Sequence, residues 1–454
     1  MYQLPVEIFD EIFKYLEFDK ISLNSCLLVN RLWCKVSVKI FWKSIRNYNT
    51  LIACLPDESK EILYENGILI STSMPPPTFN YISFCKFLSI KELNYNIQKF
   101  FNNNQQKDIT EKMSKEIFKF LIKNISSLKE LTLDASIINI PFFSYPETFT
   151  YLSKLTFSSN TDPKLLYQLS QICHNIQTMY IPINDVIPNE LTYLISLQQK
   201  LTCLCITQFN NNLGSINNIF YQNIPNTLTR IFIYEGSGSF VPLSFIGRCL
   251  NLQTLMLSFP NNNSSKSINY NFKKLQNINF SKLQSLEFRN KCPKNDLLET
   301  FLKINGRNLK ELSFGKSNDS LNIIISNSCP NLKKLFITNL TLETLEKIFN
   351  RCHYLESIKI CCEENLSTKD LFEIIINDSP VNFYELQLIN VRSKLIPEEL
   401  ESFLVNWIKR IPQKQFFLNI LTKDIRILNI YNENNKKIFK KYVNHFKLGH
   451  IKSR

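Results

Sequence analysis

The sequence predicts an α/β repeat solenoid preceded by a small all-α module, and three observations predict it. An L-x-x-L-x-L pattern, with Ile, Phe or Met allowed, recurs eleven times from residue 128 at intervals of 23 to 31 residues. Residues 4–42 carry three short apolar-periodic segments, each with its own start signal. Only 8 glycines stand among 454 residues, and neither G-x-G-x-x-G nor G-x-x-x-x-G-K-[ST] occurs, which disfavours folds that cradle phosphates on glycine-rich loops. The 53 Asn against 2 Ala read as biased composition and serve as background.

The first module comes in three helices. In Leu4-Pro5-Val6-Glu7-Ile8-Phe9-Asp10-Glu11-Ile12-Phe13-Lys14-Tyr15-Leu16, the residues Ile8, Phe9, Ile12, Phe13 and Leu16 recur at helical spacing, with Pro5 at the first turn and acids where they complement the helix dipole. Asp19 can cap a second helix carrying Leu23, Leu27 and Leu28, and Asn30 a third carrying Leu32, Trp33, Val36, Ile40, Phe41 and Trp42. Three short helices without a metal or disulfide pattern make a poor independent domain, so a partner is implied.

Leu4-Pro5-x-Glu7-Ile8, Ile12-Phe13, Leu16, Asp19, Leu23, Val29-Asn30-Arg31-x-Trp33 and Phe41-Trp42 closely resemble, in order and spacing, an F-box over residues 1–46. The resemblance implies docking on the Skp-type adaptor of a cullin-based ubiquitin ligase. Carried across residue by residue, the adaptor-binding positions are Leu4, Pro5, Ile8, Ile12, Leu16, Leu23, Val29 and Trp33. Which of these touch the adaptor and which fill the small core the sequence does not divide.

Residues 47–125 show no clear period and read as a linker and capping region, with a short helix in Pro56–Gly67 capped by Asp57. Met74-Pro75-Pro76-Pro77 reads as a stiff connector, and the polar run at 102–107 as an exposed loop. From 126 to 395 the repeats take over. Pattern and interval are those of leucine-rich repeats, each unit supplying one short parallel strand and one helical segment that must stack on its neighbours. The likeness implies a right-handed horseshoe with a parallel concave sheet. The longest interval, 252 to 283, holds Asn261–Ser265, which reads as a loop insertion. Cys173, Cys249, Cys329 and Cys352 each stand three residues ahead of a repeat, resembling the cysteine-containing repeat that accompanies an F-box; their separation favours buried packing over metal binding. The Asn ladder of the most regular repeats is missing, since Ser136, Pro260, Ser317 and Leu340 occupy its place, so irregular coils are expected.

In L-x-x-L-x-L the second and third apolar residues point inward and the residue between them points to the concave face. That register displays Thr132, Thr156, Tyr180, Cys205, Phe232, Met256, Glu287, Ser313, Phe336, Lys359 and Gln387, flanked by Arg230, Tyr234, Arg289, Glu311 and Lys334, with Cys203 beside Cys205. Aromatics and Met beside Arg mark an interface centre, so Tyr180, Arg230, Phe232, Tyr234 and Met256 are the expected target-binding residues.

Residues 396–454 read as a C-terminal cap and basic tail. A helix opens at Pro397 and runs to about Arg410, apolar segments follow at 416–421 and 425–430, and a basic amphipathic stretch closes the chain as a helix packed on the cap. Residues 431–454 carry seven Lys plus Arg against Glu433, which is +6 of the total +14. The basic balance, pI ≈ 9.1, is thus largely terminal, and nucleic acid is disfavoured as the main partner. Four His, no H-E-x-x-H, and no paired nucleophile and base leave no catalytic constellation, metal or cofactor to assign. The start lacks the pattern of a secretory signal, no apolar run reaches about 18 residues, and the 13 Cys include no C-x-x-C. Reduced thiols in the cytosol or nucleus are expected. The function implied is that of a non-catalytic substrate receptor, bound through an adaptor to a cullin and holding a target protein by proximity rather than bond chemistry. The alternatives are an adaptor-bound scaffold without ubiquitination and, from another class, an enzyme or nucleic-acid binder using the basic surface.

Overall fold

The computed structural model describes residues 4–45, 47–65, 77–100, 107–133, 144–184, 188–208, 224–236, 243–261, 265–361, 367–390, 396–410, 414–421, 433–443 and 446–448. The proline connector up to Pro76, residues 102–106 of the polar run, most of the Asn261–Ser265 insertion, Ser136, Cys362 and the segment 425–430 lie outside them.

The chain divides into two units, Met1–Leu204 and Cys205–Arg454. The first begins with α1 (Val6–Lys14), α2 (Lys20–Leu27) and α3 (Arg31–Phe41). Their starts follow the capping chemistry of the sequence: the Asp19 carboxylate accepts from Ser22 N at 3.1 Å, and the Asn30 side chain from Trp33 N at 2.9 Å. Asp57, expected as a cap, is instead the first residue of a helix, Asp57–Glu65. Parallel strands then follow in chain order: β1 (Phe87–Ser89), β2 (Glu130–Thr132), β3 (Lys154–Thr156) and β4 (Thr178–Ile183), each paired with the next. β1 lies inside the span read as linker. Cys85, Leu88 and Ile90, all buried, stand where Leu128, Leu131 and Leu133 stand one coil later.

β5 (Cys203–Gln208) straddles the division. The second unit runs through β6 (Arg230–Glu235), β7 (Thr254–Phe259), β8 (Ser285–Asn290), β9 (Glu311–Phe314), β10 (Lys334–Thr338), β11 (Ser357–Cys361), β12 (Glu385–Ile389), β13 (Phe416–Leu421) and β14 (Phe446–Leu448). Each pairs in parallel with its successor. Helical segments return the chain between most strands, as parallel pairing requires. The architecture is an α/β repeat solenoid, and its ladder continues through β13 and β14 into the region read as a cap.

Coils are held by two devices besides apolar packing. The first is a chain of aromatic contacts: Phe272 meets Phe288 and Phe301, Phe288 stacks on Phe314 at 5.4 Å, and Phe416 touches Phe383, Phe403, Trp407 and Phe446. The second satisfies carbonyls stranded at helix C-termini or after the turns that follow them, which burial would otherwise leave without a partner. Thr148 Oγ1 donates to Ile125 O, Cys352 Sγ to Cys329 O at 3.4 Å, and Gln198 Nε2 to Cys173 O at 2.6 Å while Gln198 Oε1 accepts from Ile176 N. Asn305 does the same with Ile278 O and Phe280 N, and Arg410 reaches the Ser379 carbonyl at 2.6 Å. The cysteine position is therefore one solution among several to a shared problem.

Sharp exits from the strands come from Asn290, Asn339 and Asn390, non-glycine residues at φ of 65°, 48° and 56°. Asn tolerates this left-handed region better than most side chains. They stand one position before the place where the sequence lacks an Asn ladder. Gly315 packs against the first of them: a Cβ there would lie 2.4 Å from Asn290 N.

Candidate functional site

α1 carries two apolar stripes offset by one residue. Phe9, Phe13 and Leu16 turn inward onto Leu23, Cys26, Val36 and Ile40, with the Trp33 ring 5.0 Å from Phe13 and 5.8 Å from Phe9. That stripe closes the module's core. Ile8, Ile12 and Tyr15, spaced four and three apart, form the second, and all three are exposed. Leu4 and Pro5 precede it and are exposed as well. Phe18 and Ile21 around the α1–α2 turn, and Leu28 and Val29 around the α2–α3 turn, are more than half exposed, Phe18 to 93%. Large apolar side chains exposed in this number on a module this small are candidates for an interaction surface.

The expected adaptor-binding set therefore splits. Leu4, Pro5, Ile8, Ile12 and Val29 lie on the surface. Leu23, at 2% exposure, is a core residue, because α2 presents Leu23 and Cys26 to the bundle and Ile21 to the outside. Leu16 and Trp33 are half-buried and pack on that core. Tyr15, Phe18 and Ile21 were not singled out by sequence, and Leu28 was read with the apolar face of the second helix; all four are exposed.

The outward face of the strands is a second surface. In the first unit Tyr180 is exposed, with the Lys154 ammonium 5.4 Å from its ring centre and Glu130 2.9 Å from that ammonium. In the second unit Arg230 is exposed and Phe232 and Tyr234 are half-buried. Met256, expected on display, is only 1% exposed. Its register neighbours Phe232 and Glu287 stand on either side of it on the same face. One row on, small Ser258 separates Tyr234 from Arg289, whose guanidinium sits 5.7 Å from the Tyr234 ring and 2.6 Å from Glu287. The structure thus joins Phe232, Met256, Glu287, Arg289 and Tyr234 into one cluster. Cys203 and Cys205 are buried, not displayed. Further along, the Lys359 ammonium lies over Phe336 at 4.9 Å, and Lys334 pairs with Glu311 at 3.1 Å.

None of the twelve described cysteines forms a disulfide with another described residue. Burial pushes Cys173, Cys249 and Cys352 up to about 12 and raises Cys329 further, so these thiols stay protonated and unreactive at neutral pH. Among the described residues no group of three His, Cys, Asp or Glu could hold a metal. No described helix is long and apolar enough to cross a membrane. At the C-terminus the helix Glu433–Lys441 docks on Pro397–Ile408 through Glu401, which takes Lys441 Nζ at 2.7 Å and Tyr442 Oη at 3.2 Å.

Residues 1–48 match the family model for the F-box-like domain. No curated protein matches the chain. Among solved structures, the crystal structure of the Rad7 and Elc1 complex in yeast matches at 13% identity and a TM-score of 0.40, over 98% of this chain and 91% of that one. The TLR13–ssRNA13 complex matches at 15% identity and a TM-score of 0.37, over 68% of this chain and 49% of that one.

Proposed function

We propose that the chain is the substrate-recognition subunit of a cullin-based ubiquitin ligase. Its F-box-like domain docks on a Skp-type adaptor and through it on a cullin, and its repeats, read as leucine-rich repeats, hold a target protein on the outward face of their strands. The observation that carries this reading is the second apolar stripe of α1, left exposed on a module whose own core is already closed. The chain performs no bond chemistry itself; it places a target's lysines near an activated ubiquitin carrier. Free, buried thiols support a reducing compartment, cytosol or nucleus. Target contact is assigned to Tyr180 in the first unit and to Arg230, Phe232 and Tyr234 in the second, with Met256 as the floor between Phe232 and Glu287.

Affinity purification of the full chain tests the docking. Wild type brings down the adaptor and a cullin, and a Leu4→Ala, Pro5→Ala, Ile12→Ala variant brings down neither. Recovery of neither by wild type defeats the reading. Recovery of the adaptor without cullin replaces it with an adaptor-bound scaffold that has no ubiquitination role.

A further inference from the structure

The start of the strand ladder, within the first unit, encloses a recess that neither coil stacking nor the core of the N-terminal module accounts for. Ser44, shortly after α3, bridges to Phe87 of β1, and β1 then pairs with β2 so that Phe87 faces Glu130 and Ser89 faces Thr132. These residues alternate with buried Leu88 and Leu131 and so belong to the outward strand face. The helix Tyr48–Ala53 closes the recess through Tyr48, and the helix Ile90–Phe100 through Glu92 in its first turn. The space is about 190 Å³, and no Lys, Arg or His lines it among the described residues. Glu92 N donates to Ser89 Oγ at 3.2 Å, which fixes the backbone from which the carboxylate extends. That carboxylate has no hydrogen-bond or ion-pair partner among the described residues. Glu130 gives Oε2 to Lys154 at 2.9 Å and keeps Oε1. Tyr48 Oη accepts from Asn96 Nδ2 at 3.2 Å, while burial first, and the charge of Glu92 with it, raise the phenol above its ordinary range and keep it neutral. Two carboxylates set against the single ammonium of Lys154 leave one negative charge unmatched.

We propose that this recess takes one arginine side chain of a protein partner. The five N–H donors of a guanidinium need more acceptors than one carboxylate offers, and here Glu92, Glu130 Oε1 and the hydroxyls of Ser89 and Thr132 line a single space. Phe87 and Tyr48 add aromatic surface, on which a planar guanidinium stacks and a compact ammonium does not. One guanidinium also cancels the one charge left over. The volume lies below the roughly 300 Å³ at which sites for drug-sized ligands begin, so it suits a single side chain rather than a free metabolite. A divalent metal is disfavoured, since among the described residues no three His, Cys, Asp or Glu come together. That the partner is a protein rests on the reading of the outward strand face as a target-holding surface; Tyr180, two strands beyond β2, stands in the same row as Ser89 and Thr132.

The test uses the full chain and labelled degenerate peptides with a central arginine, lysine or citrulline, whose urea replaces the guanidinium without its charge. On a chain of net charge +14 nonspecific attraction favours acidic peptides, so a preference for arginine has a local source. The arginine set binds roughly tenfold or more tightly than the citrulline set at fixed ionic strength, and more tightly than the lysine set, as expected for charge-assisted hydrogen bonds. Glu92→Gln, a substitution at an exposed residue, removes most of that preference, and Glu130→Gln weakens it although the side-chain shape remains. Equal binding of the arginine and citrulline sets, equal binding of the arginine and lysine sets, or a preference that survives both Gln variants overturns the proposal. So does a preference seen only in Arg46→Ala, because Arg46, outside the described residues and next in sequence to Ile45 of the recess, would then be its occupant. Adaptor capture is measured on the same preparations. A chain that captures adaptor without arginine preference loses this inference alone; one that prefers arginine without capturing adaptor keeps it and loses the docking reading.

Discussion

The N-terminal module and the repeats use the same apolar residue types to opposite ends. In the repeats a coil cannot close its own core, so every large apolar side chain of the strand pattern is buried against the next coil; Leu286, Phe288, Leu312 and Phe314 are at most 2% exposed. In the module three helices close a core around Phe13, Leu23 and Val36 and still leave Leu4, Ile8, Ile12, Phe18, Ile21, Leu28 and Val29 outside. Burial in the repeats is a demand of folding. Exposure in the module is not, and the proposed docking on an adaptor accounts for it.

Removing one large side chain from each region sets the contrast at its widest. Phe301, buried among Phe272 and Phe280, should cost about 3–5 kcal/mol on replacement by Ala, read from urea unfolding, since transfer and cavity terms add. Ile12→Ala in the module should cost less than about 0.5 kcal/mol, as for a surface substitution. Similar costs at the two sites would erase the distinction.

Next in size is the polar stitching between coils. Asn305→Ala strands Phe280 N and Ile278 O in a buried place, and about 2–4 kcal/mol of stability should go with them. Asn305→Asp tests the donor separately, because it keeps the acceptor for Phe280 N and loses the bond to Ile278 O. A destabilisation by Ala no larger than that of an exposed Asn would sink the stitching account.

The buried cysteines sharpen the comparison through pH. Burial lifts the Cys352 thiol from an ordinary 9.0 to about 12, so its contribution to stability is whole below about 9 and is lost as pH rises toward 12. The decline in unfolding midpoint above pH 9 should accordingly be shallower in Cys352→Ala than in wild type. Native Cys352 should also resist alkylation at pH 8 until the chain is unfolded, and prompt labelling of the folded chain would contradict its placement.

The smallest effect belongs to the C-terminal contact. Lys441 holds the Glu401 carboxyl below its usual range, on the surface, so the contact weakens as pH falls through that lowered value. Glu401→Gln should leave global stability within measurement error while amides of Glu433–Lys441 exchange faster. Unchanged exchange there would mean the helix is held by other contacts.

How much of this was legible depended on whether a residue type has one job. L-x-x-L-x-L placed β2 to β12 because alternation along a buried strand leaves the inward positions no choice. The coil at β1 escaped notice because Cys85 leads it and 43 residues separate Cys85 from Leu128. The cysteine position was visible, but its equivalents Gln198 and Asn305 were not, since a carbonyl can be met by a thiol, an amide or a guanidinium with no shared sequence letter. Leu23 and Ile21 show the limit for the docking surface: both are aliphatic, two residues apart on α2, and only the bundle decides that one is core and the other exposed. Met256 shows it for the strand face, where a position of outward register is only 1% exposed.

The most direct test of the contrast is titration of the purified chain with a purified Skp-type adaptor, comparing wild type with an Ile8→Ala, Ile12→Ala variant whose unfolding midpoint is measured in parallel. The account predicts that the variant loses at least about tenfold in affinity, the equivalent of 1.4 kcal/mol, at an unchanged midpoint. Equal affinity of the two chains, or loss of affinity only in step with loss of stability, would contradict it.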